Sequence, residues 1–118
     1  MTQQYGSNFL LAANDDARNA VISFRRNELD AIFNLYGRYV ASGEWRDYAI
    51  DFMKERAVFS IYRRAGEYPL YRIEKNVALA RRQGAYSIIT AAGFVLRRGH
   101  DLPRVLAALH PRPQSAER

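Results

Sequence analysis

Residues 45–75 read WRDYAIDFMKERAVFSIYRRAGEYPLYRIEK, and this stretch decides the fold that the sequence predicts. Successive side chains of a β-strand point to opposite faces of its sheet, so residues of equal parity share a face. Three runs in the stretch alternate in this way. Each has one face of aromatic and isoleucine side chains, namely Tyr48, Ile50, Phe52, Phe59, Ile61, Tyr71 and Ile73. The other face is mixed, which predicts an antiparallel meander with one side buried.

The links between these runs are short enough for hairpins. Glu55-Arg56 has the length of a tight turn, and Ala65-Gly66-Glu67 supplies a turn glycine. Residues 85–98 predict a further hairpin around Ala91-Ala92-Gly93. Residues 20–25, AVISFR, also alternate and predict a first strand. The sheet should therefore have five or six strands.

Two amphipathic helices are expected beside the sheet, with one or two helical turns at residues 77–84. The first helix should begin at Asn27, a good N-cap, and end at Gly43. The second should begin at Asp101, with Pro103 in its first turn. Their apolar stripes consist of Leu29, Ile32, Phe33, Tyr36 and Val40, and of Leu102, Val105, Leu106 and Leu109. We predict a two-layer α+β fold with a mainly antiparallel sheet and both helices on one face.

A single domain is predicted over residues 19–110, between a flexible N-terminal arm at 1–18 and a disordered C-terminal tail at 111–118. Without cysteine, the chain has no disulfide, thiol nucleophile or cysteine-ligated metal. Residues 9–13, FLLAA, are too short for the apolar region of a secretion signal. No apolar run is long enough to span a membrane. We expect a cytoplasmic protein without membrane contact.

The charge balance is positive. The formal net charge is +6, and arginine accounts for sixteen of the eighteen basic residues. The planar guanidinium group binds phosphate and carboxylate through two hydrogen bonds at once. Codon usage in a GC-rich genome would explain arginine in place of lysine, but it does not explain the positive balance. The charge therefore favours a polyanionic partner such as nucleic acid.

Parity predicts a binding surface on the mixed face of the sheet. Arg64, Arg72 and Arg97 should lie there near Tyr62, with Arg98 beside them. Sheets bind single-stranded nucleic acid through basic groups and stacking aromatic rings. We therefore predict a nucleic-acid or partner site at these five residues. In the alternative interpretation, the arginines only pair with neighbouring acids and solvate the strand ends; those acids are Asp47, Asp51, Glu67 and Glu74.

The same face carries the apolar residues Met53, Val58 and Leu70. Apolar groups on an uncovered sheet face are typical of an association surface. A homodimeric or adaptor interface is the alternative function, and another copy, a partner protein or the N-terminal arm would cover the face.

No catalytic or metal-binding set is identifiable. Asp47 and Asp51 lie about 13 Å apart along a strand, too far to divide acid and base roles. His100 lies beside Asp101, which is better placed as a helix cap, and His110 is isolated, so no metal site is expected. We predict a non-enzymatic protein without cofactor or metal. An enzyme that acts on an anionic small molecule ranks last.

Five segments carry a family resemblance: LYGRYVASGEWRDYAIDF (35–52), AVFSIYRR (57–64), PLYRIEK (69–75), ARRQGAYSI (80–88) and LRRGHDL (96–102). In this order, across roughly residues 20–109, they resemble an uncharacterised family of small alpha-proteobacterial proteins catalogued as a domain of unknown function. The resemblance implies a bacterial cytosolic origin and one compact domain. It implies no activity, cofactor or site.

Overall fold

The computed structural model of the chain describes residues 20–110. The predicted arm and tail, at 1–18 and 111–118, lie outside the described residues. The elements, in chain order, are α1 (Arg26–Ala41), β1 (Asp47–Phe52), β2 (Ala57–Tyr62), β3 (Tyr71–Lys75), β4 (Tyr86–Thr90), β5 (Val95–Gly99) and α2 (Leu102–Leu106). Short 3₁₀ turns cover Val77–Leu79 and Ala107–Leu109. The predicted α+β class is confirmed.

The sheet is a simple meander with the order β1-β2-β3-β4-β5, and every neighbouring pair is antiparallel. Phe59 lies opposite Ile50 on one side and Ile73 on the other, and Ile73 lies opposite Ile88. These inward-facing residues form one buried cluster with helix side chains such as Ile32. The parity of residues 45–75 therefore predicted the core face correctly.

The helix ends follow local chemistry. Gly43 adopts a φ of +82°, which favours glycine, and its amide donates to the Val40 carbonyl at 3.0 Å. The Asp101 carboxylate accepts a hydrogen bond from the Arg104 amide at 3.2 Å, so it caps α2 as predicted. The predicted stripe of α2 is buried throughout and consists of Leu102, Val105, Leu106 and Leu109.

Two details of the prediction are wrong. Residues 20–25 form no strand; the Ile22 amide donates to the Met53 carbonyl at 2.8 Å, but the segment does not join the sheet. Helix α1 begins after Arg25 instead of Asn27. The reason is Glu28, the third residue of α1, whose Oε1 accepts from the Arg25 amide at 2.6 Å.

Both helices pack on the core face of the sheet, where their buried residues meet the inward strand residues. No other helix of residues 20–110 covers the opposite face, which we call the outer face. No helix in this part of the chain is long and apolar enough to cross a membrane.

Candidate nucleic-acid interface

The five residues of the predicted binding site do not lie together. Arg72 lies opposite Ser60, and Arg98 lies opposite Ser87, so both belong to the outer face. Arg97 lies opposite Ile88 on the helix-bearing face. The expectation that Arg97 shares the outer face is wrong, because the register shifts by one residue between Ile88 and Ile89.

The other two predicted residues lie at one end of the sheet. Tyr62 is the last residue of β2, half-buried and opposite Asp47 on the outer face. Arg64 is exposed in the β2–β3 connection, beyond the end of the strand. Arg98 lies near the opposite end of the sheet, where β5 finishes. Residues Tyr62, Arg64 and Arg98 therefore cannot contact one small ligand together.

Charge pairing also weakens the outer face as a basic surface. The Arg72 Nε lies 3.7 Å from a Glu74 carboxylate oxygen, and the Arg56 guanidinium lies 4.0 Å from the other oxygen. This matches the alternative interpretation, in which arginines pair with acids. The strand positions on the outer face hold three carboxylates, those of Asp47, Asp51 and Glu74. They hold two guanidinium groups, those of Arg72 and Arg98. The face is not positively charged.

The predicted interface residues are also not exposed together. Met53 is exposed in the β1–β2 turn, but Val58 is buried within β2. Leu70 is half-buried and packs against the core cluster. Of these three side chains, only that of Met53 is freely exposed.

A basic surface lies instead along the β5 side of the molecule, and we call it the basic edge. It consists of five exposed arginines, Arg81, Arg82, Arg97, Arg98 and Arg104. The Arg98 Nε donates to the Ser87 hydroxyl at 2.9 Å, and its Nη1 donates to the Gln83 side chain. The Arg97 Nη1 donates to the Arg104 carbonyl at 3.1 Å. These bonds tie β5 to the β3–β4 loop on the outer face and to α2 on the helix-bearing face, so the basic edge extends around the edge strand.

A glycine pair fixes the β3–β4 loop against β5. Gly84 has a φ of +101°, and a Cβ built on it would lie 2.1 Å from the Gly99 carbonyl carbon. No side chain fits at such a distance, so only glycine allows this approach. The contact places the loop that carries Arg81 and Arg82 beside the end of β5.

The basic edge contains little compensating negative charge. Residues 75–100 include no aspartate or glutamate. Asp101 is the nearest acid along the chain, and its carboxylate pairs with the Arg104 guanidinium at 4.0 Å. Residues 75–110 thus contain five arginines and one acid. The acid-free run was visible in the sequence, but the contacts between its loop, strand and helix were not.

The β4–β5 hairpin also exposes an apolar segment, which we call the hairpin tip. Phe94 is 71% exposed, Val95 45% and Leu96 46%. The Phe94 backbone is held by two hydrogen bonds, since its amide donates to the Thr90 hydroxyl at 3.2 Å and its carbonyl accepts from the Thr90 amide at 2.8 Å. An exposed aromatic ring therefore lies on a fixed backbone next to the basic edge.

A buried charged cluster, which sequence reasoning missed, joins α1 to the sheet. Glu28 and Lys75 are only 4% and 8% exposed. The Lys75 Nζ donates to Glu28 Oε1 at 2.9 Å and to the Ser23 carbonyl at 2.9 Å. The Tyr86 hydroxyl donates to the second oxygen of Glu28. Parity places Lys75 on the core face with Tyr71 and Ile73, so a lysine at an inward strand position was the signal for this cluster that the sequence offered.

The pKa values of Glu28 and Tyr86 are both shifted away from neutral pH. Burial disfavours the charged form of Glu28, but hydrogen bonds from Tyr86, Lys75 and the Arg25 amide outweigh it and lower the pKa of the carboxyl. Burial and the hydrogen bond to Glu28 raise the pKa of Tyr86 to about 12. Glu28 is therefore charged and Tyr86 neutral in physiological conditions. The arrangement holds the fold together and leaves no accessible reactive group.

Other kinds of site find no support in the part of the chain that the structure describes. Among residues 20–110, no group of three histidine or acidic side chains is placed to hold a metal ion. A surface depression at the β2–β3 turn is lined by Gly66, Glu67 and Tyr68 and is open to solvent.

No curated protein and no solved structure matches the chain. A family model described as Protein of unknown function (DUF2794) matches residues 22–106, which include every strand and both helices. The expected likeness to a domain of unknown function is confirmed, and the alpha-proteobacterial origin stays a prediction. The chain belongs to the DUF2794 family.

Proposed function

We propose that the protein is a non-enzymatic module that binds nucleic acid through the basic edge. The observation that supports this is that hydrogen bonds of Arg97 and Arg98 tie β5 to α2 and to the loop that carries Arg81-Arg82, while residues 75–110 include one acid, Asp101. Guanidinium groups are strong ligands for phosphate oxygens. The proposal keeps Arg97 and Arg98 from the sequence-based site and replaces the outer face by the β5 side of the sheet.

The affinity for nucleic acid should fall as the salt concentration rises. Each neutralised phosphate of a single strand adds about −0.7 to the slope of log affinity against log salt concentration. If all five arginines contact phosphates, the slope for a single strand is about −3.5. Loss of two arginines should make it shallower by about 1.4.

Fluorescence anisotropy with a labelled oligonucleotide, titrated at several salt concentrations, tests the claim. We expect Arg97→Ala with Arg98→Ala to weaken binding and flatten the salt slope. Arg38→Ala with Arg46→Ala is the matched control, since it removes the same charge from exposed positions outside the basic edge. Equal losses in both double variants would contradict the proposal, because they would indicate a response to net charge alone. Absence of binding at low salt would contradict it as well.

The outer face supports a second candidate, which is self-association. Within residues 20–110 both helices lie on the other side of the sheet, and the outer face carries two accessible apolar side chains, those of half-buried Ile89 and of Val95, which is 45% exposed. We propose that a second copy packs on this face. Sedimentation velocity over a range of concentrations tests this, with Ile89→Asp as the disrupting variant on the half-buried part of the face. A monomer at every concentration would refute it.

A cytoplasmic location and an alpha-proteobacterial origin complete the proposal. The absence of cysteine is compatible with a reducing compartment, and the family resemblance points to a bacterial cytosolic protein. Fractionation of cells that express a tagged chain tests the location, and recovery in the membrane or exported fraction would contradict it.

A further inference from the structure

We infer that the protein prefers single-stranded nucleic acid and that Phe94 stacks on one of its bases. The inference rests on the proposed function, because it assigns a role to the hairpin tip beside the basic edge. Phe94, Val95 and Leu96 expose three consecutive apolar side chains. A single exposed apolar residue is ordinary on a protein surface, whereas three in succession at one hairpin make a candidate contact site.

The spacing along β5 suits a strand that binds through both its phosphates and its bases. Phe94 and Arg98 lie four positions apart, but Leu96 between them is bulged, so the distance corresponds to roughly 10 Å along a strand. Stacked nucleotides advance about 3.4 Å each, so this distance spans about three nucleotides. Phosphates held at Arg97 and Arg98 would therefore leave a nearby base within reach of the Phe94 ring. Base-to-aromatic stacking requires an unpaired base, which a duplex does not offer at its surface.

The hairpin tip is already held in place. Gly93 has a φ of +94°, and its amide donates to the Thr90 carbonyl at 2.9 Å, which closes the turn. The two hydrogen bonds between Phe94 and Thr90 then fix the backbone of the ring-bearing residue. Binding therefore needs little ordering of the protein, which favours affinity.

Another use of this edge is addition of a strand, from a peptide or from a second copy. The register shift leaves Leu96 without an opposite residue in β4, and irregularities of this kind disrupt strand pairing. Arg97 and Arg98 follow at once, and charged residues on an edge strand oppose further pairing. These features favour a nucleic-acid ligand at the hairpin tip over strand addition.

The test compares two ligands of equal length, a single-stranded oligonucleotide and an abasic strand that has the same phosphates without bases. We expect Phe94→Ala to weaken binding of the oligonucleotide by about 5- to 150-fold, the range for loss of one stacked base. Its affinity for the abasic strand and its salt slope should not change. Phe94→Trp should retain the preference for bases. Tyr68→Ala is the control, because Tyr68 is an 89% exposed aromatic residue of the β2–β3 connection, outside both the basic edge and the hairpin tip.

The outcomes separate this inference from the function on which it rests. If Phe94→Ala binds the oligonucleotide as tightly as the parent, while Arg97→Ala with Arg98→Ala binds weakly, the stacking role is wrong and the basic edge stands. If neither ligand binds at low salt, both are wrong. If Phe94→Ala converts a dimer to a monomer and leaves oligonucleotide affinity unchanged, the hairpin tip contacts a second copy and the inference is overturned.

Discussion

Replacement of Lys75 by methionine should strongly destabilise the protein. Met keeps most of the side-chain volume but removes the ammonium group that donates to Glu28 Oε1 and to the Ser23 carbonyl, both at 2.9 Å. A hydrogen bond to a charged group contributes about 1.5–3 kcal/mol and a neutral one about 1 kcal/mol. Glu28, itself 4% exposed, would also stay in the core as an unpaired carboxylate. Loss of one partner of a buried ion pair typically costs about 3–5 kcal/mol, and we expect a loss of this size.

Urea unfolding followed by circular dichroism measures the effect. With an m-value of about 1.5 kcal/mol per molar urea, the midpoint should fall by about 2–3 M. Lys54→Met is the matched control: Lys54 is the other lysine and is exposed in the β1–β2 turn, so its free energy of unfolding should change by less than about 0.5 kcal/mol.

A double variant separates the charge from the packing. Glu28→Gln with Lys75→Met removes both charges; the amide oxygen can still accept from the Arg25 amide, and the amide nitrogen can donate to the Tyr86 hydroxyl oxygen. We expect the double variant to be more stable than Lys75→Met alone. The reasoning is refuted if Lys75→Met costs less than about 1 kcal/mol, or if the two substitutions are additive.

Three further predictions concern other parts of the molecule. The folded-state pKa of Tyr86 is raised from 10.0 to about 12, so its contribution to stability is present below pH 10 and should be lost as the pH rises to about 12. Tyr86→Phe should make the free energy of unfolding less dependent on pH in this window, as measured by thermal unfolding at each pH. Gly84→Ala should destabilise the fold by several kcal/mol and weaken oligonucleotide binding, because the new methyl group collides with the Gly99 backbone. Gly37→Ala, in α1 with free space around it, should stabilise the fold by about 0.5–1 kcal/mol, and equal effects of the two variants would contradict the close contact between Gly84 and Gly99. Asp101→Ala should lower stability by about 0.5–2 kcal/mol through loss of the N-cap. It should also tighten oligonucleotide binding, because Asp101 is the acid that pairs with Arg104 of the basic edge; weaker binding would argue against that surface.

The parts of the fold that depend on local pattern were predictable from the sequence. Alternation in residues 45–75 identified the inward side chains, since pleat parity needs no knowledge of distant residues. The glycine end of α1 and the Asp101 cap of α2 were also found, because each depends on residues within one helical turn.

Features set by distant contacts were not predictable. The start of α1 depends on Glu28, which Lys75 and Tyr86 hold in place from far along the chain. The side of the sheet on which Arg97 lies depends on one unpaired residue in β5, and parity counting cannot detect such a shift. The five residues of the predicted site therefore do not lie together, although Arg97 and Arg98 both belong to the surface that we now propose.

The buried cluster of Glu28 and Lys75 has a consequence for the order of folding. The strands pair only with their immediate successors, and such local contacts form quickly. The ion pair instead joins residues 47 positions apart and requires a much larger loop to close. We therefore expect the meander to assemble in the transition state and α1 to dock after the barrier. In a chevron plot, Lys75→Met should then accelerate unfolding far more than it slows refolding.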